Sequence, residues 1–403
     1  MMRLLRLVPV ALALALPSTG RSETVPAPPS SAFGCAEVEF SSTLPAIEGR
    51  DGVFFRTYAD LRLQHPLGAA VRAQLGRLSA ALAERGTTLV YVAIPTKSQA
   101  MPGSLPDRAQ DYGYDAKIAR AVYNDVISGL RAEGVVAPDI MRALQASASD
   151  GQSPMFAADF HWSAIGARAA AEEIGAAIKA DPAYAGLTPK TFESVEVGAT
   201  VAFSGSRRAW QGFCLDTLPR VETPVWQTVE AGPAADGALD IGLGSDPAAE
   251  GGTLDIFADT AGAAGPDIVL VGTSFSDSEV NNFAGFLQQY SSLEVVNYAI
   301  TGGEQFGAIS SYLTSPEFQK APPRFLVWEN PIYNNLGQFG PGQIEELIAA
   351  ASTQCRIDLA ARVTGTDGLS ADLSPWVADG SVNRDTSILI DFGSEGARAV
   401  DIE

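Results

Sequence analysis

The 403-residue chain contains two histidines, His65 and His161. His161 lies in Ala158-Asp159-Phe160-His161-Trp162-Ser163, two residues after an aspartate. In an extended or turn segment, side chains at i and i+2 point the same way. Asp159 and His161 can therefore enter one pocket. Histidine is the usual proton acceptor near neutral pH, and a catalytic imidazole needs an acidic group on its other ring nitrogen. The competing reading is a satisfied, buried histidine beside Trp162, just before a helix capped by Ser163. His65 precedes Pro66 with no acidic or nucleophilic neighbour and reads as structural.

A base needs a proton to take. Ser274 stands in Gly272-Thr273-Ser274-Phe275-Ser276, directly after the apolar run "IVLV". A serine on a tight strand-to-helix turn presents its hydroxyl above a sheet, with a helix start behind it to stabilise an oxyanion. An isolated serine in that place is more often a plain helix cap. Gly302-Gly303 follows "VVNYAI", and a glycine there lets a backbone N–H approach a ligand closely, or makes an ordinary turn. Asn330, after "FLVWE", is either an oxyanion donor or a strand terminator.

These groups need elements to hold them. Residues 87–97, "TTLVYVAIPTK", form a continuous β-branched and aromatic run ending in a proline, which suits a strand buried on both faces. "PDIVLVGTS", "LEVVNYAI" and "RFLVWENP" read as three more strands, and "VVAPDI" as a short one. Apolar spacing predicts helices over 66–85, 115–133, 163–180, 282–290, from 306, and over 344–355. Strands alternating with helices give an α/β fold with a largely parallel sheet, in which ligands bind at the carboxyl ends of the strands. Residues 195–260 turn to Thr, Val, Gly and Pro and predict a β-rich insertion with long loops. Residues 359–403 read as a short C-terminal β extension around "DTSILIDFG".

Composition limits the function. The net charge is −20 with no Lys/Arg-rich tract, which argues against nucleic acid as a partner. At the start, Arg3 and Arg6 precede the apolar run "LVPVALALAL" and a group of small residues, the pattern of a cleaved secretory signal. The run is about half of what a membrane span needs. The expected organisation is a signal peptide over 1–22, a disordered linker over 23–34 and a catalytic domain over 35–358. Export to an oxidising compartment favours disulfides. Of Cys35, Cys214 and Cys355, a Cys35–Cys214 bridge ties the N-terminus onto the domain and leaves Cys355 unpaired in a helix; spacing alone does not fix the pairing.

Taken together, the G-T-S-F turn, the glycine turn, the "WENP" strand end and the D-x-H pair resemble the SGNH-hydrolase fold, a three-layer sandwich. Because D-x-H precedes the serine, the order resembles the permuted branch with the AlgX/AlgJ-type alginate O-acetyltransferases. "IPTKSQAMPGSLP", "DFHWSAIGARAAAEEI", "VLVGTSFSD" and "VWENPIY" are each similar to segments of that family, and the likeness runs over about residues 35–355. The resemblance implies that Ser274 carries an acetyl ester, His161 takes its proton and Asp159 holds the imidazole. It further implies an oxyanion hole from the backbone N–H groups of Ser274 and of Gly302 or Gly303. Tyr333 matches the family's tyrosine after W-E-x-P and is expected to line the pocket. Lys97, at a strand end, is expected to contact an anionic sugar or to close a salt bridge. Arg207, Arg208 and Trp210 form either an acidic-sugar platform, with Arg on carboxylates and an aromatic face for stacking, or solvated arginines beside a core tryptophan.

The implied function is periplasmic O-acetylation of an exported polysaccharide, without metal or other cofactor, with acetyl groups supplied by a membrane partner. The alternatives are an acetyl-esterase using the same triad, or a non-catalytic polysaccharide-binding scaffold. The chain departs from the family in its C-terminal tail, too short for a carbohydrate-binding sandwich of ~100 residues, and in "TGGEQ", where an arginine is expected. Both departures, and the acidic charge, bear on alginate as the substrate more than on the chemistry. The sequence is silent on oligomeric state.

Overall fold

The computed structural model describes residues 31–352 apart from 64–66, 149–152, 203, 232–264 and 339, with a few positions between 362 and 378. The expected signal peptide, His65, Cys355 and the strand "DTSILIDFG" lie outside the described residues.

The first strands of the described residues form a hairpin, β1 (Ala46–Glu48) and β2 (Phe54–Arg56). Next come α1 (Ala69–Glu84), β3 (Thr88–Ile94), the one-turn α2 (Lys97–Ala100), α3 (Ala116–Ala132), α4 (Ile140–Ser147) and α5 (Ala164–Ala180). A long antiparallel ribbon pairs β4 (Phe192–Ala202) with β5 (Val221–Glu230), and α6 (Gly205–Gln211) lies between them. The alternation then resumes with β6 (Ile268–Val271), α7 (Ser274–Asp277), α8 (Phe283–Ser291), β7 (Val295–Asn297), α9 (Gly307–Thr314), α10 (Pro316–Lys320), β8 (Phe325–Pro331) and α11 (Gly342–Ala351).

The central sheet is parallel throughout, in the order β3-β8-β6-β7. Strand side chains alternate between faces. Leu89, Tyr91, Ala93, Val269, Val271, Leu326 and Trp328 pack with residues of α1, α3, α9 and α11. Val90, Val92, Ile94, Ile268, Leu270, Phe325 and Val327 pack with α5 and α8 on the other face. Helices cover both faces, so the strands are apolar at nearly every position and lack the alternation of a half-exposed sheet. The result is the expected α/β sandwich, with the carboxyl ends of β3, β6, β7 and β8 along one rim.

The sequence reading needs three corrections. "VVAPDI" is not a strand: Val136 makes one isolated bridge to Val90, and Pro138 denies the ladder a donor. Asp139 instead caps α4, accepting from the Arg142 N–H, a helix that the sequence reading missed. The segment read as β-rich over 195–260 begins at Phe192 and contains the helix α6, capped by Ser204. Its residues 232–260 lie outside the described set.

Cys35 and Cys214 form a disulfide across 179 residues of sequence. The bridge fixes the N-terminal segment to the end of α6, and Phe54 of β2 stacks on Trp210 at 5.0 Å beside it. Cross-linking residues this far apart removes much chain entropy from the unfolded state. Replacing both cysteines with serine is expected to cost about 2–5 kcal/mol of stability, read as a lower urea midpoint that reductant no longer shifts.

Candidate active site

Ser274 is the first residue of α7, at the end of β6. Thr273 is the cap, and its side chain accepts from the Phe275 N–H. The N–H groups of Ser276 and Asp277 both donate to the Thr273 carbonyl. The turn thus closes on its own first residue, and the half-buried Ser274 hydroxyl stands at its outer edge.

The Asp159-to-His161 segment reaches this edge from a small hairpin. Met155 pairs with Trp162, the Phe156 N–H donates to the His161 carbonyl, and the Ser163 N–H donates to Pro154. Ser163 caps α5, as the sequence reading expected. Trp162 is fully buried, and its indole N–H donates to the Phe275 carbonyl at 2.9 Å. That bond ties the hairpin directly to the Ser274 turn. The His161 ring is stacked with Phe160 at 4.2 Å and tilted against Phe275 at 4.8 Å.

Three side chains then form a line. Asp159 Oδ1 lies 2.6 Å from His161 Nδ1, and His161 Nε2 lies 2.8 Å from Ser274 Oγ. Asp159 Oδ1 also accepts the His161 backbone N–H, and its Oδ2 accepts the Ser204 hydroxyl at 2.6 Å. Burial alone would raise the Asp159 pKa. The hydrogen bond and charge interaction of His161, with the Ser204 hydroxyl, outweigh that and hold it at about 2. A carboxylate can only accept, so Nδ1 carries the ring proton and Nε2 is left as the acceptor for the serine O–H.

This arrangement has a consequence for acid stability. The folded pKa of Asp159 lies below its ordinary 3.8. Its ionised form therefore stabilises the fold above about pH 4, and that contribution disappears as pH falls towards about 2. A shift of this size corresponds to about 2 kcal/mol. Urea titrations of wild type and Asp159→Asn should differ by about that much at pH 6 and converge near pH 2.

Residues 46–332 match the family described as SGNH hydrolase-like domain, acetyltransferase AlgX. The chain belongs to this AlgX family. It is 28% identical over 292 residues to the alginate biosynthesis protein AlgX of Pseudomonas aeruginosa, covering 72% of this chain and 56% of that protein. It is 30% identical over 286 residues to the probable alginate O-acetylase AlgJ of the same species, covering 68% of each. The solved structure of P. aeruginosa AlgX superposes with a TM-score of 0.63 at 25% identity, over 81% of this chain and 70% of that one. The chain thus spans a little over half the length of that AlgX relative.

Within the AlgX-type domain, several residues singled out from the sequence take other places. Lys97 is 1% exposed, so it does not reach solvent for a sugar. Its ammonium donates to the carbonyls of Phe156, Ala157 and Asp159 at 2.6, 2.7 and 2.9 Å. It acts on the hairpin that carries Asp159 and His161. Asn330 is not an oxyanion donor: it is buried at the strand end, donating to the Tyr91 hydroxyl and accepting from Asn334. Trp210 is fully buried with its indole N–H on the Leu44 carbonyl, and Arg207 is turned onto the carbonyls of Leu218 and Pro219. Arg208 alone of the three is exposed, so the platform expected from Arg207, Arg208 and Trp210 is not assembled. At the glycine turn, the Gly303 N–H donates to Ile300, while Gly302 is exposed with φ 78°. Of the two expected donors, Gly302 remains.

Tyr333 meets a residue that the sequence reading overlooked. The Arg56 guanidinium lies between the rings of Phe160, at 4.2 Å, and Tyr333, at 4.5 Å. Its Nε and Nη2 grip Asp60 at 3.0 Å each. Burial opposes this cation, and Asp60 more than compensates, raising its pKa. Asp60 also accepts the Lys97 backbone N–H, so β2 and α2 brace the Phe160 side of the histidine together. The i, i+4 Arg–Asp spacing was the available signal. Ser204 had none beyond being a serine before a helix.

Proposed function

We propose that the chain is an O-acetyltransferase that modifies an exported polysaccharide of the alginate type in the periplasm, through an acetyl ester on Ser274. The observation that supports this most is the continuous line from Asp159 through His161 to Ser274. In the first half-reaction the Ser274 proton passes to His161 Nε2 while Oγ bonds to the acetyl carbonyl carbon. The tetrahedral oxyanion is met by the Ser274 and Gly302 N–H groups, and the donor's leaving oxygen then takes the proton from Nε2. In the second, a sugar hydroxyl gives its proton to Nε2 and its oxygen bonds to the acetyl carbon. The bond to Oγ breaks, and the proton returns to Ser274. Asp159 stays ionised and fixes the ring for both transfers. The acetyl groups arrive from a membrane partner.

The experiment is a partition assay. The protein is incubated with an activated acetyl ester, with and without a uronate oligosaccharide. The expected result is acetylated saccharide, formed at the expense of free acetate. Acetate release unaffected by saccharide, with no sugar ester formed, would make the chain an esterase and overturn the proposal.

A further inference from the structure

Glu329 is the third residue from the end of β8 and is completely buried, facing the turn that carries Ser274. Its Oε2 accepts the Thr273 backbone N–H at 2.8 Å and the Ser276 hydroxyl at 2.9 Å. Its Oε1 accepts the Thr273 hydroxyl at 3.1 Å. Three donors, all from the turn, converge on one carboxylate. The fit extends to the backbone, because a Cβ on Gly272 would lie 2.5 Å from Glu329 Oε2. Only glycine lets the strand end come so near the carboxylate.

We infer that Glu329 is the positioning residue of the nucleophile turn. The inference rests on Ser274 being the nucleophile. By taking the Thr273 N–H and both hydroxyls, the carboxylate fixes the donors of the turn that Thr273 does not hold and the reacting centre does not need. The Ser276 and Asp277 N–H groups are spent on Thr273 O, and the Phe275 N–H on Thr273 Oγ1. Among the described residues, the Ser274 N–H has no protein acceptor and is presented beside its own Oγ. Glu329 and Lys97 thus divide the work: the buried anion holds the serine turn, and the buried cation holds the aspartate–histidine hairpin.

Fold stability does not account for a carboxylate here. Burial raises the Glu329 pKa from 4.5 to about 7, against the pull of its three donors. The unfolded state releases this proton first, so stability falls as pH rises from about 4.5 to about 7. A neutral isostere would avoid that loss. The carboxylate is the form that accepts all three donors; protonation turns one oxygen into a donor and displaces a turn hydroxyl. The other ionisable groups that feel its charge, Tyr91 of β3 and Tyr333 beyond β8, both have raised pKa values and stay neutral across this range.

The test compares wild type with Glu329→Gln. Labelling of Ser274 by a sulfonyl fluoride is measured first in wild type, with Ser274→Ala as blank. Absence of wild-type labelling refutes the serine nucleophile rather than this inference. Given labelling, Glu329→Gln should react about 10- to 100-fold more slowly, the scale of a misplaced reacting group. Its kcat should fall by a similar factor with KM within about twofold, and its Tm should equal or exceed that of wild type. The wild-type acid limb should include the deprotonation of Glu329, and that proton should be missing from the limb in the variant. If the Gln variant does not fold, Thr273→Val should show the same slowing and Thr273→Ser should recover most of the rate. Labelling at the wild-type rate in a folded Gln variant, or equal slowing by Thr273→Val and Thr273→Ser, overturns the inference.

Discussion

A Ser274→Ala protein is expected to fold as wild type does and to lose acetyl transfer by about four orders of magnitude or more. The side chain is half-buried at the edge of its turn. Its hydroxyl makes one contact that matters here, to His161, so removing it opens no large cavity and strands no buried donor. The chemical loss is large because residues of a triad act as a unit: without Oγ there is neither a proton for His161 nor an atom to hold acetyl. What survives is the oxyanion donors and the binding surface. Steady-state transfer to an oligosaccharide, with a thermal melt as control for folding, reads both halves of the expectation.

The second large effect is on folding. Lys97→Met keeps the length of the side chain and removes three donors from the carbonyls of Phe156, Ala157 and Asp159. Those carbonyls sit in the hairpin, and of the three the Ala157 carbonyl also accepts the Phe54 N–H. Burial pulls the Lys97 pKa down to about 7, while Asp60 and Asp159 pull it up. Three carbonyls within 2.9 Å use all three donors of an ammonium. Breaking such a buried polar set by deleting one member costs about 3–5 kcal/mol. Arginine should not rescue it, since a planar fork does not match three converging carbonyls. Urea denaturation measures the loss, and kcat of the remaining folded protein should drop because the hairpin that aims His161 is loosened.

How much of this was visible in the sequence follows from where each residue gets its meaning. The sheet was legible because β3, β6 and β8 are apolar at successive positions, which few structures other than a strand covered on both faces explain. His161 and Ser274 were legible through scarcity and setting: there are two histidines, and Ser274 follows an apolar strand at a strand-to-helix turn. Lys97 and Trp210 misled because residue type suggests exposure or stacking, whereas burial is set by contacts from distant segments. Phe54, which stacks on Trp210, is far away along the chain. Ser204 and Arg56 were missed because each reaches the site from its own short element; only Arg56 carried a local signal, its i, i+4 spacing to Asp60. Glu329 was noticed as part of "WENP", but the neighbouring Asn330 received the role. Alternation along β8 places Asn330 against Tyr91 and Glu329 against the serine turn.

The central claim is that Ser274 carries the acetyl group between donor and sugar. The most direct measurement is peptide mapping after wild type is mixed with an activated acetyl ester, without acceptor, and quenched in acid. The expected result is one acetyl group on the peptide containing Gly272–Ser276, assigned to Ser274, that disappears when a uronate oligosaccharide is added before the quench. Transfer to the sugar with no acetyl ever found on Ser274, or an adduct that forms equally in Ser274→Ala, would contradict it.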